Sequence, residues 1–356
     1  CRNEIQNYQY LDEADRQKVS AENWGNWQAK EVLKNKAGPD FGVNNLFVAV
    51  ATAADLDVRI IYTGDRRSFV FANNKFAHRS LLIYSGIAVK TAKGWHYCYP
   101  SMKYTPANHL YWFSEGQDAL LIGKKESEWV KLPIAPPEYN KSEQKANLKL
   151  LPDGTLEGTV KNTYYGFIGT DSKLGFKDLS EKYIKESIEN IWKGRFDKFE
   201  IENVSINKSV WFNEPFEIQY KIKVFDYARS TEKRMIFQPG FFEYGIKPKF
   251  QDSTRFTPIY FDKSNWDLQE VEIEIPQNYE TEALNLSRKV SEAGIVDFEV
   301  NIGFDPQRNT LKYRRNFKYG ENGRLLYPVN SYPLLKNIFD RISLIDSDVI
   351  TLKKKT

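Results

Sequence analysis

Apolar residues recur at helical spacing near the start of the chain and at alternating positions later, so the pattern divides the sequence into two regions. In GPDFGVNNLFVAVATAADL (38–56) the apolar repeat predicts a buried helix. Asp40 follows a Gly-Pro pair at its start, where we expect it to cap the helix. The β-branched run at 58–64 predicts a strand, and the stretches 85–90 and 95–100, on either side of a turn, predict a hairpin.

The second region alternates between apolar and polar residues. In FEIQYKIKV (216–224) every second side chain is apolar, which predicts a strand with one face in water. NLKLLPDGTLEGTV (147–160) predicts a hairpin that turns at Pro-Asp-Gly. The stretches 296–304 and 311–319 have the same alternation and predict a longer hairpin.

Two helical patterns interrupt these strands. The first covers 178–194, with Asp178 as its expected N-cap, and the second covers 331–343. We therefore predict an α+β protein in which an antiparallel β-sandwich-like domain carries two packed helices. The expected organisation is a mixed domain, a proline-rich linker and the β-rich domain, at residues 1–126, 127–145 and 146–356.

Composition excludes several classes of partner. Lys and Arg number 51 against 47 Asp and Glu, so the net charge of +4 indicates no nucleic-acid partner. The sequence has no apolar run of about 18 residues, so we expect no transmembrane segment. The two cysteines, Cys1 and Cys98, imply no disulfide framework. Cys1 in first position is what the lipid-anchored N-terminus of a mature bacterial lipoprotein shows, and equally what an arbitrary cut leaves.

Motifs that carry chemistry are scarce. The sequence has no Walker loop, GxGxxG, CxxC or HExxH motif, and its histidines are His78, His96 and His109. His96 and Cys98 are two residues apart in a predicted strand, so they share a face. A half-buried strand face explains them more simply than a nucleophile pair, which also needs an orienting third group. The histidines have no metal-ligand spacing, so we expect neither a metal nor a cofactor.

Aromatic residues are concentrated between residues 95 and 112. Such a cluster either lines a groove for sugars or peptides or forms the core beneath the hairpin. The candidate binding residues are Trp95, Tyr97, Tyr104 and Trp112.

The order of these elements resembles a transglutaminase-like, papain-type core. The similarity is to bacterial proteins in which that core lies between two β-rich domains of unknown function. Their helix opens with Gly-Asp-Cys, and this chain has Gly38-Pro39-Asp40 followed by LFVAVATAADLDVRII. RFTPIYF (255–261), VEIEIPQNYETEAL (271–284) and the ending YPVNSYPLLKNIFDRISLIDSDVITLKK resemble the C-terminal β domain of that family. The resemblance thus implies the core followed by the C-terminal β domain.

The resemblance also implies that all three catalytic positions of the family are replaced. The cysteine aligns with Asp40, the histidine with Tyr84 in LLIYSGIAVK, and the acid of Trp-x-x-x-Asp-Pro with Tyr99 in WHYCYP. The chemistry of the family needs a thiolate activated by an adjacent imidazole. A carboxylate and two phenols do not supply it, so the chain resembles a degenerate member.

The expected function follows from this loss. The first hypothesis is a non-catalytic protein that acts by binding or as a structural component of the bacterial cell envelope, in the periplasm or at the cell surface. A second is a cysteine-independent hydrolase or peptidase whose rebuilt site pairs Asp40 with His96 or His78. A third is a carbohydrate- or peptide-binding module that uses the aromatic cluster. The expected partners are proteins, peptides or glycans.

Overall fold

The computed structural model describes residues 4–22, 27–74, 78–207, 214–282, 284 and 287–355. The chain folds into two units, residues 1–135 with 210–214, and residues 136–209 with 215–356. Cys1, the proposed lipid attachment point, lies outside the described residues. None of the described helices is both long and apolar enough to cross a bilayer.

The first unit combines helices with a five-stranded antiparallel sheet. Its helices are α1 (Glu13–Glu22), α2 (Ala29–Asn35) and α3 (Asp40–Ala53). Its strands are β1 (Gln6–Asn7), β2 (Ala37–Gly38), β3 (Val58–Thr63), β4 (Ile83–Thr91), β5 (Gly94–Cys98), β6 (Asp118–Ile122) and β7 (Ser127–Lys131). The sheet order is β5-β4-β3-β6-β7, while β1 and β2 form a separate parallel pair.

Both faces of this sheet are at least partly covered at its central strand. In β3 the side chains of Arg59, Ile61 and Thr63 are buried and those between them are half-buried. Ile61 packs in a core cluster with Ala88, Leu110, Ala119, Leu121 and Leu132. A second cluster joins α2 and α3 through Val32, Val43 and Leu46, so α3 is packed at its first two turns.

Among its described residues, the second unit has an eight-stranded sheet and three α-helices. The helices are α4 (Gly166–Phe176), α5 (Glu181–Trp192) and α6 (Tyr332–Asp346). The strands are β8 (Lys141–Leu150), β9 (Leu156–Tyr164), β10 (Phe199–Ile206), β11 (Phe216–Val224), β12 (Arg229–Ser230), β13 (Arg234–Phe237), β14 (Ile259–Tyr260), β15 (Asn265–Glu274), β16 (Tyr279–Thr281), β17 (Ser287–Glu292), β18 (Val296–Asp305), β19 (Thr310–Tyr319), β20 (Leu326–Tyr327) and β21 (Ile350–Lys354).

The eight-stranded sheet runs β10-β11-β9-β8-β15-β19-β18-β17 and is antiparallel except where β8 pairs with β15. A four-stranded antiparallel sheet, β12-β13-β21-β16, and the short pair β14-β20 complete the strands among the described residues. The protein is therefore a mixed α+β protein rich in sheet, as predicted. The parallel pair departs from the wholly antiparallel sheet that the sequence predicted, because β8 and β15 are joined by a long connection rather than a hairpin.

Several sequence predictions are confirmed and others are wrong. The strands at 58–64 and 216–224 and the hairpin of β18 and β19 are present. The helix expected from Asp178 begins instead at Glu181, with Ser180 as its N-cap, so Asp178 is not the cap. Helix α4 was not predicted, which makes three helices in this unit rather than two.

The predicted linker is also more ordered than expected. Strand β7 occupies its first five residues and β8 begins at Lys141. The boundary between the two units falls between Ala135 and Pro136, inside the proline-rich stretch.

Candidate functional site

Helix α3 begins at Asp40, and its N-cap is Pro39, so the prediction that Asp40 caps the helix is wrong. The carboxylate turns away from the backbone of its own helix. Its oxygen Oδ1 accepts a hydrogen bond from Nδ2 of Asn7 at 2.7 Å. Asp40 is the first helical residue, where the helix dipole favours a negative charge.

Asn7 connects three segments of the first unit. Besides Asp40, its Nδ2 donates to the carbonyl of Ser101 at 2.9 Å, and its Oδ1 accepts from the backbone N–H of Gln9 at 3.1 Å. The backbone N–H of Ser101 in turn donates to Oδ1 of Asn44, one turn along α3, at 2.9 Å. The start of α3 is thus tied to the chain that follows β5.

Tyr84 and Tyr99 lie beside this hydrogen-bonded cluster. Tyr84 is on β4 next to a bulge, since Tyr62 pairs with Tyr84 but Ile61 pairs with Gly86. The rings of Tyr84 and Tyr99 meet edge to face, with centroids 6.1 Å apart. Tyr99 is close enough to Asp40 for the carboxylate charge to raise the pKa of the phenol. Residues 40, 84 and 99 therefore converge at one end of α3.

Electrostatics leaves this site with one carboxylate and two neutral phenols. Burial raises the pKa of Asp40, opposed by hydrogen bonding to Asn7 and Ser101. Burial raises the pKa of Tyr84, and the neighbouring Tyr99 reinforces this shift. Burial also raises the pKa of Tyr99, and the charge of Asp40 adds to it. Such groups can accept and donate hydrogen bonds, but neither a thiolate nor an imidazole is among them.

The histidines have other partners. Nδ1 of His96 lies 2.6 Å from Oδ1 of Asn108, and Nδ1 of His78 lies 2.5 Å from the hydroxyl of Ser80. Burial lowers the pKa of His109 to about 4, so its imidazole is neutral at physiological pH. In the described part of the chain, no histidine hydrogen-bonds to Asp40. Cys98 lies near Tyr84, close enough for the two groups to interact electrostatically.

The aromatic candidates have separate partners. Trp95 and Tyr97 pack on the core cluster of the sheet. The Trp95 ring lies 4.7 Å from the Arg59 guanidinium and 4.6 Å from the Lys90 ammonium, and its Nε1 donates to Glu128 at 3.1 Å.

Tyr104 and Trp112 are placed elsewhere. Tyr104 is 5% exposed, and its ring meets Tyr10 edge to face at 5.9 Å. Trp112 contacts Phe113 at 6.0 Å and the Arg66 guanidinium at 5.9 Å. These protein contacts use much of the ring surface that a sugar would need.

Three residues of the Asp40 cluster escaped the sequence interpretation. Asn7 and Ser101 carry no local signal, because their partners are distant along the chain. Asn44 does have a signal in the sequence, since a polar residue on the apolar face of a helix requires a hydrogen-bond partner. Among the described residues, no group of three or more His, Cys, Asp or Glu is arranged to hold a metal ion.

Comparison with known proteins gives two similarities. Residues 233–352 match a family described as a domain of unknown function with a solved structure, DUF3858. The fold is similar to a crystal structure from Parabacteroides distasonis ATCC 8503 named "putative protease", with a TM-score of 0.44 and 8% identity. That similarity covers 97% of this chain, which spans 52% of the length of the other. No curated protein matches the chain.

Proposed function

We propose that the first unit is a degenerate transglutaminase-like core and that the protein is non-catalytic. It acts by binding or as a structural component of the bacterial cell envelope, in the periplasm or at the cell surface. The observation that supports the core is the convergence of Asp40, Tyr84 and Tyr99 at one end of α3. These are the positions that the resemblance alone assigned to the family's nucleophile, histidine and acid.

The chemistry of the three residues supports the lack of activity. A thiol-dependent acyl transfer needs a nucleophile that attacks a carbonyl and a base that accepts its proton. The Asp40 carboxylate is held by the Asn7 amide, and the phenols have pKa values raised by burial. The rebuilt-hydrolase hypothesis gains no support, because His96 and His78 bond to other residues.

A turnover assay tests the lack of activity. Purified protein is incubated with glutamine-containing peptides and a primary amine, and both ammonia release and peptide cleavage are followed. We expect no turnover above the rate of a heat-denatured sample. Turnover abolished by Cys98→Ser or by His96→Ala would refute the proposal, and would identify which of the two residues acts.

A thiol-reactivity experiment tests the core independently of activity. In a retained active-site geometry, adding Tyr84→His to Asp40→Cys should lower the thiol pKa, because a neighbouring imidazolium stabilises the thiolate. The alkylation rate of the introduced thiol by iodoacetamide is measured against pH in a background that carries both Cys1→Ser and Cys98→Ser, with Phe41→Cys as the exposed control on the same turn. Identical pH midpoints with and without Tyr84→His would contradict the proposed core.

The envelope location rests on the resemblance. Fractionation of the native cells tests it. Recovery of the protein in the periplasmic or membrane fraction would support the location, and recovery in the cytosolic fraction would contradict it.

A further inference from the structure

The second unit has a cavity of about 460 Å³ beside helix α6. Much of its apolar lining comes from α6 and β19, with Phe339 and Ile342 on the helix and Phe317 on the strand. Residues 339 and 342 share one face of the helix because they are three positions apart, and they are only 7% and 4% exposed. The volume lies within the range of small-molecule pockets, about 300–1,000 Å³.

Contacts between aromatic rings order the apolar wall of this cavity. The Phe339 ring meets the Phe317 ring edge to face, with centroids 6.0 Å apart, and stacks on the Phe261 ring at 5.9 Å. Neighbouring rings thus hold the wall in place. An apolar chain that enters the cavity therefore leaves water for a surface that is already formed.

The carboxylates that line the cavity have a partner of their own. Arg315 is 4% exposed, and its guanidinium donates to both oxygens of Asp346 at 2.8 and 2.9 Å. Glu243 lies 3.7 Å from the same guanidinium and accepts a hydrogen bond from the Gln269 amide. The negative charge of the lining is therefore directed at Arg315 rather than at a ligand.

Two lysines of the lining lack such a partner. In the described part of the chain, neither Lys247 nor Lys249 forms an ion pair with a carboxylate. Lys249 as a whole is exposed, but its ammonium lies 5.2 Å from the Phe261 ring and 5.9 Å from the Phe339 ring. Partial burial there lowers the pKa of Lys249, and the charge of Asp262 opposes this shift. An anion at this ammonium would offset its loss of solvation.

We propose that this cavity binds an amphiphilic carboxylate, a single anionic head on an unbranched apolar chain such as a medium-chain alkanoate. The head lies at Lys247 and Lys249 and forms the ion pair that these lysines do not form within the chain. The apolar chain of the ligand packs on Phe317, Phe339 and Ile342. This site belongs to the second unit and does not depend on the function proposed for the first.

The charges around the cavity disfavour other classes of ligand. A cation would meet two unpaired ammonium groups, and a metal ion would find no group of three His, Cys, Asp or Glu among the described residues. A polyanion would bring further negative charge close to Glu243 and Asp346. An uncharged apolar molecule would cover Lys249 without supplying an anion. A head with one negative charge fits these surroundings best.

NMR titration of the full chain with four compounds tests the class of ligand. Octanoate has both head and chain, 1-octanol lacks the charge, hexanoate is two methylenes shorter, and acetate is the head alone. We expect octanoate to bind at least about tenfold more tightly than 1-octanol, because hydrogen bonds to charged groups are the stronger kind. Hexanoate should bind about fifteenfold more weakly than octanoate, since each buried methylene contributes about fourfold. Acetate should show no saturable binding.

Charge-removing variants test the position of the head. The double variant Lys247→Gln/Lys249→Gln should bind octanoate no more tightly than 1-octanol, while octanoate still binds more tightly than hexanoate. Both lysines are exposed, so these substitutions leave the core intact. Lys182→Gln on α5 is the matched control and should keep the preference for octanoate, because Lys182 is 78% exposed and lies outside the lining.

A blocking variant tests the position of the apolar chain. Ser343→Phe adds a ring from the lining of α6 and should weaken octanoate binding at least about tenfold. Leu344→Phe, at the adjacent position outside the lining, should not weaken it, because Leu344 is 69% exposed. Equal binding of octanoate and 1-octanol, or an affinity that does not rise from acetate to octanoate, would overturn the proposal. So would a preference that survives in the double lysine variant, or octanoate binding that Ser343→Phe leaves unchanged.

Discussion

The hydrogen bond between Asn7 and Asp40 gives the sharpest test of how the Asp40 cluster is held. Asn7 is 7% exposed, and its side chain makes three hydrogen bonds, one to a carboxylate. A bond to a charged acceptor contributes about 1.5–3 kcal/mol and each neutral bond about 1 kcal/mol. We therefore expect Asn7→Ala to lower the free energy of unfolding of the first unit by about 3.5–5 kcal/mol.

The same substitution should cost less once the charge is removed. Asp40→Asn keeps an oxygen that can accept from Asn7, so the bond survives as a neutral one. In that background Asn7→Ala should cost about 3 kcal/mol, which leaves a coupling energy of about 0.5–2 kcal/mol. Urea denaturation of the parent, the two single variants and the double variant measures this coupling energy. Asn45→Ala is the control, because the Asn45 amide makes one long hydrogen bond, 3.5 Å, to Trp27.

The effect of Asp40→Asn on stability should depend on pH in a definite direction. Burial raises the pKa of Asp40 in the folded protein, so ionising this carboxylate costs stability. That cost is complete above the folded pKa and disappears below the unfolded pKa of about 3.9. Asp40→Asn should therefore be more stable than the parent at pH 7, by a margin that shrinks as the pH falls to 4. A coupling energy near zero, or a margin that grows on acidification, would refute a buried carboxylate held by Asn7.

Three further predictions concern other buried groups. Arg315→Met leaves three buried carboxylates unpaired and should cost about 3–5 kcal/mol at pH 7 by urea denaturation. The loss should be smaller at pH 5, because burial raises the pKa of Asp346 to about 6 and protonation relieves the repulsion; an equal loss at both pH values would contradict this. The imidazole of His109 should titrate near pH 4 in a histidine NMR experiment, and a midpoint above 6 would show that it is solvated. Gly169→Ala should cost about 1–3 kcal/mol in thermal unfolding, because its Cβ would lie 2.4 Å from the Tyr164 carbonyl, whereas Gly175→Ala, with open space around it, is the tolerated control.

Strand patterns were predictable from the sequence because they depend on local alternation. In β11 the inward residues Phe216, Ile218, Tyr220, Ile222 and Val224 are all buried, as the period-two pattern indicates. Helix α4 escaped because Gly169 and Gly175 weaken its local propensity. Its first N–H groups are fixed from outside, since the Phe167 N–H donates to Asn140 at 3.0 Å, and Gly169 permits the close approach to Tyr164.

The Asp40 site was hard to predict for the same reason, since contacts between distant parts of the chain determine it. The sequence could mark Asp40 as the residue that opens a buried helix, but its role as a cap failed because its partner, Asn7, is supplied by a distant strand. The residue preferences at helix N-caps describe a helix end whose N–H groups are satisfied locally. This helix end lies against other chain segments, which supply the partners of Asp40. Resemblance pointed to Asp40, Tyr84 and Tyr99 together, while the helical pattern pointed to Asp40 alone.

The burial of Arg315 shows that the odd or even position of a residue along a strand is a more general sequence signal for burial than its polarity. The alternation that predicted β19 also assigned Arg315 to the inward face, and the same rule assigns Asp267 and Gln269 of β15 to the face of Val271 and Ile273. Charged and amide residues in phase with the core on adjacent strands must satisfy each other, because burial leaves them no water. Here the Arg315 guanidinium pairs with Asp267 of β15 and Asp346 of α6, while the Gln269 carbonyl oxygen and the Tyr313 hydroxyl have no partner among the described residues.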